Sequence, residues 1–74
     1  MKMIPVASSL LRTVGYDEEK EELHVGFHKG GTYVYRGVPR RMFNAMIDDA
    51  SAGGYFIQNI KGRYEWSKLD ENRG

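Results

Sequence analysis

The run Leu23-His24-Val25-Gly26-Phe27-His28-Lys29-Gly30-Gly31-Thr32-Tyr33-Val34-Tyr35-Arg36 decides the fold. Its opening alternates, with Leu23, Val25 and Phe27 on one face and His24, Gly26 and His28 on the other. That period of two marks a half-buried strand. Thr32 to Arg36 is β-branched and aromatic, which favours a second strand, and the paired glycines between them supply the positive φ that a hairpin turn needs. Loop length then sets the faces. A three-residue loop, Lys29-Gly30-Gly31, pairs Phe27 with Tyr33 and Val25 with Tyr35, so that both tyrosines join the apolar face and Val34 and Arg36 lie opposite. A two-residue loop, Gly30-Gly31, pairs Phe27 with Val34 and turns both tyrosines outward. The longer loop is favoured, because a short chain gains most from the larger core and glycine suits the last, left-handed loop position.

Working outward, Leu10 to Tyr16 reads as a preceding strand and the acidic Asp17–Glu22 stretch as a turn. Pro39 suits the first turn of a helix, in which Met42, Phe43, Met46, Ile47 and Ala50 form an apolar stripe. Ser51-Ala52-Gly53-Gly54 reads as its stop. Tyr55 to Ile60 forms a shorter helix with Phe56 and Ile60 on one side, closed by Gly62. Tyr64-Glu65-Trp66 makes a fourth short strand or a docked tail. The expected fold class is α+β: an antiparallel three-stranded meander, with that short fourth strand, packed against one longer and one short helix. Residues 1–66 form a single domain and 67–74 a frayed tail.

The 74 residues contain no cysteine, which excludes disulfides, thiolate nucleophiles and sulfur-ligated zinc. Nine aromatic residues are the substitute for such staples. No apolar run reaches the ~18–20 residues of a membrane span, and Met1 to Leu11 lacks the apolar core of a secretory signal, so the expected location is cytoplasmic. His24 and His28 stand about 13 Å apart along a strand, too far to share a metal ion, and read as surface histidines beside the turn. Asp48 and Asp49 point about 100° apart on a helix. Ser8, Ser9 and Ser51 have no histidine base at a motif spacing, and Gly53-Gly54 lacks the Lys-Ser/Thr of a phosphate loop. No catalytic residue, metal or cofactor is expected, and the chain does not read as an enzyme.

Binding is better supported. Net charge is only +1, yet the charges are segregated. Asp17, Glu18, Glu19, Glu21 and Glu22 crowd together, whereas no acidic residue occurs from Leu23 to Ile47. Lys29, Arg36, Arg40 and Arg41 fall in that acid-free run, and Lys61 and Arg63 follow. Arginine and lysine interleaved with tyrosine can neutralise phosphates and stack bases. The expected contact residues are therefore Lys29, Tyr33, Tyr35, Arg36, Arg40, Arg41, Lys61 and Arg63. If the tyrosines lean inward, Tyr55, Tyr64 or Trp66 would take over stacking.

The ordered pieces Ile4-Pro5-Val6 with Ser8-Ser9, Val14-Gly15-Tyr16-Asp17, Leu23-x-Val25-x-Phe27, Gly30-Gly31-Thr32-Tyr33-x-Tyr35, Gly37-Val38-Pro39 and Ser51-x-Gly53-x-Tyr55-Phe56 resemble a KTSC domain. The likeness spans residues 3 to 66 and includes the central Tyr-x-Tyr, here Tyr33 and Tyr35. The chain departs from the pattern at Ile57 and in the acidic turn. The family is named after a C-terminal segment of some lysyl-tRNA synthetases and also occurs as small bacterial and phage proteins. The resemblance implies a non-catalytic module that binds RNA, either tRNA or single-stranded, and works with the translation or transcription machinery. The alternative is a small phage-encoded regulator that docks on a host protein such as RNA polymerase. A monomer with no membrane partner is expected in either case.

Overall fold

The computed structural model describes residues 1–69. The alternating run becomes the central hairpin of a sheet, built from β3 (Glu22–Phe27) and β4 (Thr32–Arg36). Before it stand β1 (Ile4–Pro5) and β2 (Leu11–Asp17); after it come α1 (Arg40–Asp48), α2 (Ala52–Asn59) and β5 (Trp66–Lys68). The sheet order is β1-β2-β3-β4-β5 and every neighbouring pair is antiparallel. The fold is thus α+β, with two helices and five strands rather than three or four. Both edge strands are two or three residues long, too short for alternation to reveal them. Ser67 and Lys68, expected to fray, belong to β5, and the Leu69 amide donates to the Thr32 carbonyl at 2.8 Å. The rest of the expected tail, residues 70–74, lies outside the described residues.

The hairpin register corrects the expected pairing while keeping its faces. Leu23 opposes Tyr35 and Val25 opposes Tyr33. The Phe27 amide donates to the Gly31 carbonyl at 2.9 Å, so the three-residue loop is His28-Lys29-Gly30. Pairing has slid by two residues, and an even slip leaves each side chain on the same face. The slip has a local cause. The His28 amide donates to the Leu10 carbonyl at 3.2 Å and its ring Nε2 lies 2.9 Å from the Ser8 carbonyl oxygen, which holds His28 to the segment entering β2. Gly30 and Gly31 both take positive φ, 104° and 84°.

The inner face carries Leu11, Val14, Leu23, Val25 and Tyr35, and α1 and α2 cover it with Phe43, Met46, Ala52, Phe56 and the adjoining Ile60. The apolar stripe of α1 is narrower than its spacing suggests: Ile47 is exposed within the helix, and Ala50 is exposed beyond it, since the helix ends at Asp48 and the backbone turns extended at Asp49. Pro39 stands at the N-cap, one residue before the first turn. The expected stop at residues 51–54 is instead the start of α2. The Ser51 hydroxyl accepts from the Gly54 amide at 3.0 Å, an N-cap, and Gly53 lies inside the helix where a Cβ would stand 2.8 Å from the Ser8 Oγ. Glycine here permits close packing; it does not end a helix.

Candidate functional site

Opposed pairing puts Tyr33, Tyr35, Trp66 and Lys68 on one face of β4 and β5, since Tyr33 faces Lys68 and Tyr35 faces Trp66. The aromatic side chains join into a file that runs from the core to the surface. Phe56, fully buried, meets Tyr35 edge-on at 5.2 Å and Phe27 at 5.7 Å. Phe27 meets Tyr33 at 5.4 Å, and Trp66 lies 5.2 Å from Tyr33 and 6.5 Å from Tyr35. Tyr35 is only 4% exposed, whereas Trp66 is 54% exposed. The inner tyrosine therefore anchors the file, and the tryptophan presents its end to solvent.

At that end the helices no longer cover the sheet. A cleft of about 420 Å³ opens there, lined by Phe27, Tyr33, Tyr35 and Trp66 together with the exposed Lys29, Lys61 and Gly62. Three structural elements deliver the lysines. Lys29 rides the β3–β4 loop. Lys61 follows α2, its amide bonded to the Phe56 carbonyl at 2.9 Å. Lys68 in β5 adds an ammonium 6.0 Å from the Tyr33 ring centroid, and its stem passes so close to Gly31 that a Cβ there would stand 3.3 Å from Lys68 Cε. Among the described residues, no carboxylate lines the cleft. Rings of this kind accept flat apolar faces, and the lysines favour anions beside them.

The arginines are distributed differently. Sequence segregation of charge is undone in space, because the acidic turn folds back against the end of β4: the Gly37 and Val38 amides both donate to the Glu21 carbonyl, at 3.0 and 3.2 Å. Arg40 pairs with Glu18 and lies over the Tyr16 ring at 5.8 Å. Arg36 approaches Glu22 at 4.0 Å and donates to the Ser67 hydroxyl at 2.8 Å. Arg41 is exposed on α1 and lines neither the cleft nor its neighbouring pocket. Arg36 and Arg63 instead line a shallower shelf of about 590 Å³ with Tyr64 and Glu65, and this shelf shares Trp66 and Gly62 with the cleft.

Of the eight expected contact residues, the structure gathers Lys29, Tyr33, Tyr35 and Lys61 in the cleft and Arg36 and Arg63 on the shelf, and leaves Arg40 and Arg41 elsewhere. Sequence reasoning named Trp66 only as an alternate, and missed Phe27, treated as core, and Lys68. The lone tryptophan beside a lysine two positions on was the available signal. Of the alternates, Tyr64 donates its hydroxyl to Met42 Sδ at 3.1 Å and so packs inward, and Tyr55 packs partly buried against the core.

Two tyrosines hold their hydroxyl protons above the ordinary range. Burial raises Tyr35, with the neighbouring Tyr33 adding to it. Burial also raises Tyr16, helped by Glu21 and opposed by Arg40. The Tyr16 hydroxyl donates to the Val38 carbonyl at 2.5 Å and its ring stacks on Phe43 at 5.5 Å, so it is a structural tie. His24, expected at the surface, is mostly enclosed, with Gly15 and Val34 as cross-strand neighbours and Nε2 3.5 Å from Glu22 Oε1. Among the described residues, no three His, Cys, Asp or Glu side chains gather where a metal ion could be held. No helix among them is long and apolar enough to cross a membrane.

Comparison with known proteins fits this architecture. The family model of the KTSC domain matches residues 7–64. A protein of Stutzerimonas stutzeri is 37% identical over 71 residues, covering 95% of this chain and 100% of its own. A protein of Tsukamurella paurometabola is 34% identical over 62 residues, covering 84% of this chain and 92% of its own. The crystal structure of a KTSC domain protein from Yersinia pestis superposes with a TM-score of 0.89 at 35% identity, covering 92% of this chain and 96% of the other.

Proposed function

The chain belongs to the KTSC domain family, and from that premise we propose that it is a non-catalytic module that binds single-stranded RNA in the cytoplasm, including unpaired segments of tRNA. One observation carries this: an open cleft lined by four aromatic side chains with Lys29 and Lys61, and by no carboxylate among the described residues. Every base has a π-face, and stacking on an aromatic side chain contributes about 1–3 kcal/mol per base. Bases within a duplex cannot offer that face, so the cleft favours unpaired strands. Lysines, rather than the carboxylate-paired Arg36 and Arg40, supply the phosphate contacts.

Salt titration of a labelled eight-nucleotide RNA tests this. For single strands the slope of log K against log salt is about −0.7 per phosphate neutralised, so the two cleft lysines alone give about −1.4. Lys29→Ala with Lys61→Ala should flatten the slope by about that amount. A flat response in the parent chain, or an unchanged slope in the double variant, refutes the proposal. Affinity capture from a bacterial lysate, with and without nuclease, provides the second arm. RNA should be recovered without nuclease; a protein partner that survives digestion is the outcome for a docking regulator.

A further inference from the structure

The cleft and the shelf meet at Trp66 and Gly62, and their linings differ in one chemical respect. Among the described residues the cleft holds lysines and no acid, whereas the shelf holds Arg36, Arg63 and the carboxylate Glu65. A site that only tracked phosphates would gain nothing from an acid, which repels them. Glu65 is not needed to hold the fold by its side chain. Its backbone carbonyl accepts from the Arg36 amide at 2.8 Å, but its carboxylate forms no ion pair or hydrogen bond among the described residues. An exposed acceptor-only group that shares its shelf with arginine suits a ligand with paired N–H donors and a phosphate beside them.

We infer that cleft and shelf are consecutive nucleotide subsites on either side of Trp66, and that Glu65 makes the shelf subsite prefer guanine. This rests on the RNA-binding reading above. Guanine alone among the four bases presents two adjacent donors, N1–H and the N2 amine, on its Watson–Crick edge, which a carboxylate can accept together. Adenine and cytosine offer one amine beside an acceptor nitrogen, and uracil one N–H between two carbonyls. Protein side chains read unstacked bases on that edge. The cleft lies within the ~300–1,000 Å³ range of small-ligand sites, with room for one base, and the open shelf offers a surface for the next. Arg63 would hold the flanking phosphate, and Trp66 would stack between the two bases.

The single tryptophan of the chain makes its own reporter, since a base stacked on Trp66 quenches its fluorescence. Quenching is titrated with three octamers: all-uridine, alternating uridine–guanosine, and alternating uridine–inosine, whose base lacks the N2 amine. A bidentate base contact discriminates by roughly five- to one-hundred-fold, so the guanosine octamer should bind at least about fivefold tighter than all-uridine, with inosine between. Glu65→Gln should abolish the preference while leaving the all-uridine affinity equal or higher, because a negative charge is gone. Equal binding of the three octamers, or a guanosine preference that survives Glu65→Gln, overturns the inference and leaves RNA binding standing. Absence of quenching by any octamer at low salt removes both.

Discussion

Replacing Gly53 by alanine sets two effects of opposite sign against each other. Gly53 is helical, and alanine in a helix interior is favoured over glycine by about 0.5–1 kcal/mol. Against this, the new Cβ would stand 2.8 Å from the Ser8 Oγ and 3.4 Å from the Leu10 Cβ. A free hydroxyl would simply rotate away, but this one accepts from the Leu10 and Leu11 amides, both at 3.1 Å. Displacing it sacrifices two hydrogen bonds of about 1 kcal/mol each, on top of overpacking that costs roughly 1–3 kcal/mol. The net expectation for Gly53→Ala is a loss of at least about 2 kcal/mol, which for a chain this size lowers Tm by roughly 8 °C or more. Thermal melts followed by circular dichroism measure it. Ser8→Ala removes the obstacle, so in that background Gly53→Ala should be neutral or mildly stabilising, a coupling of about 2 kcal/mol. A rise in Tm for the single variant, or additivity across the cycle, would show that the helix does not press on the Ser8 turn.

Phe56→Ala should cost about 3–5 kcal/mol, much of the ~4–11 kcal/mol available to 74 residues, because Phe56 supports both Tyr35 and Phe27; a urea midpoint shift worth less than about 2 kcal/mol would contradict that central role. Above pH 10 stability should decline. The folded chain keeps the Tyr35 and Tyr16 protons after the unfolded chain has lost its own, so their contribution is complete below pH 10 and fades as pH rises through the folded values. Tyr35→Phe should lessen that decline in denaturant titrations at pH 9, 10 and 11, and an identical pH slope would exclude Tyr35 as a source. Arg40→Ala should leave RNA affinity unchanged and lower stability by about 1 kcal/mol or less, as its exposed pairing with Glu18 and its contact with the Tyr16 ring suggest; a marked drop in RNA affinity would return the arginines to the interface.

The resemblance carried by the Tyr-x-Tyr and its flanking motifs was legible from residue order alone, and so was the sidedness of the central strands. Alternation fixes which residues share a face, and the even slip of the hairpin left Leu23, Val25, Phe27, Tyr33 and Tyr35 together although their pairing moved. What local pattern could not decide was anything set by a distant neighbour. Gly53-Gly54 reads as a break until Ser8 and the Ser51 cap are seen around it. Trp66-Ser67-Lys68 is too short to declare itself a strand, and only the open edge of β4 recruits it, bringing Trp66 and Lys68 to the tyrosines. Charge behaves the same way. Acid and base lie apart along the chain, but hairpin closure returns Glu18 and Glu22 to Arg40 and Arg36, leaving lysines to line the cleft. Side-chain periodicity is a property of one strand, whereas exposure, pairing and cavities belong to pairs of segments that meet only when the sheet closes.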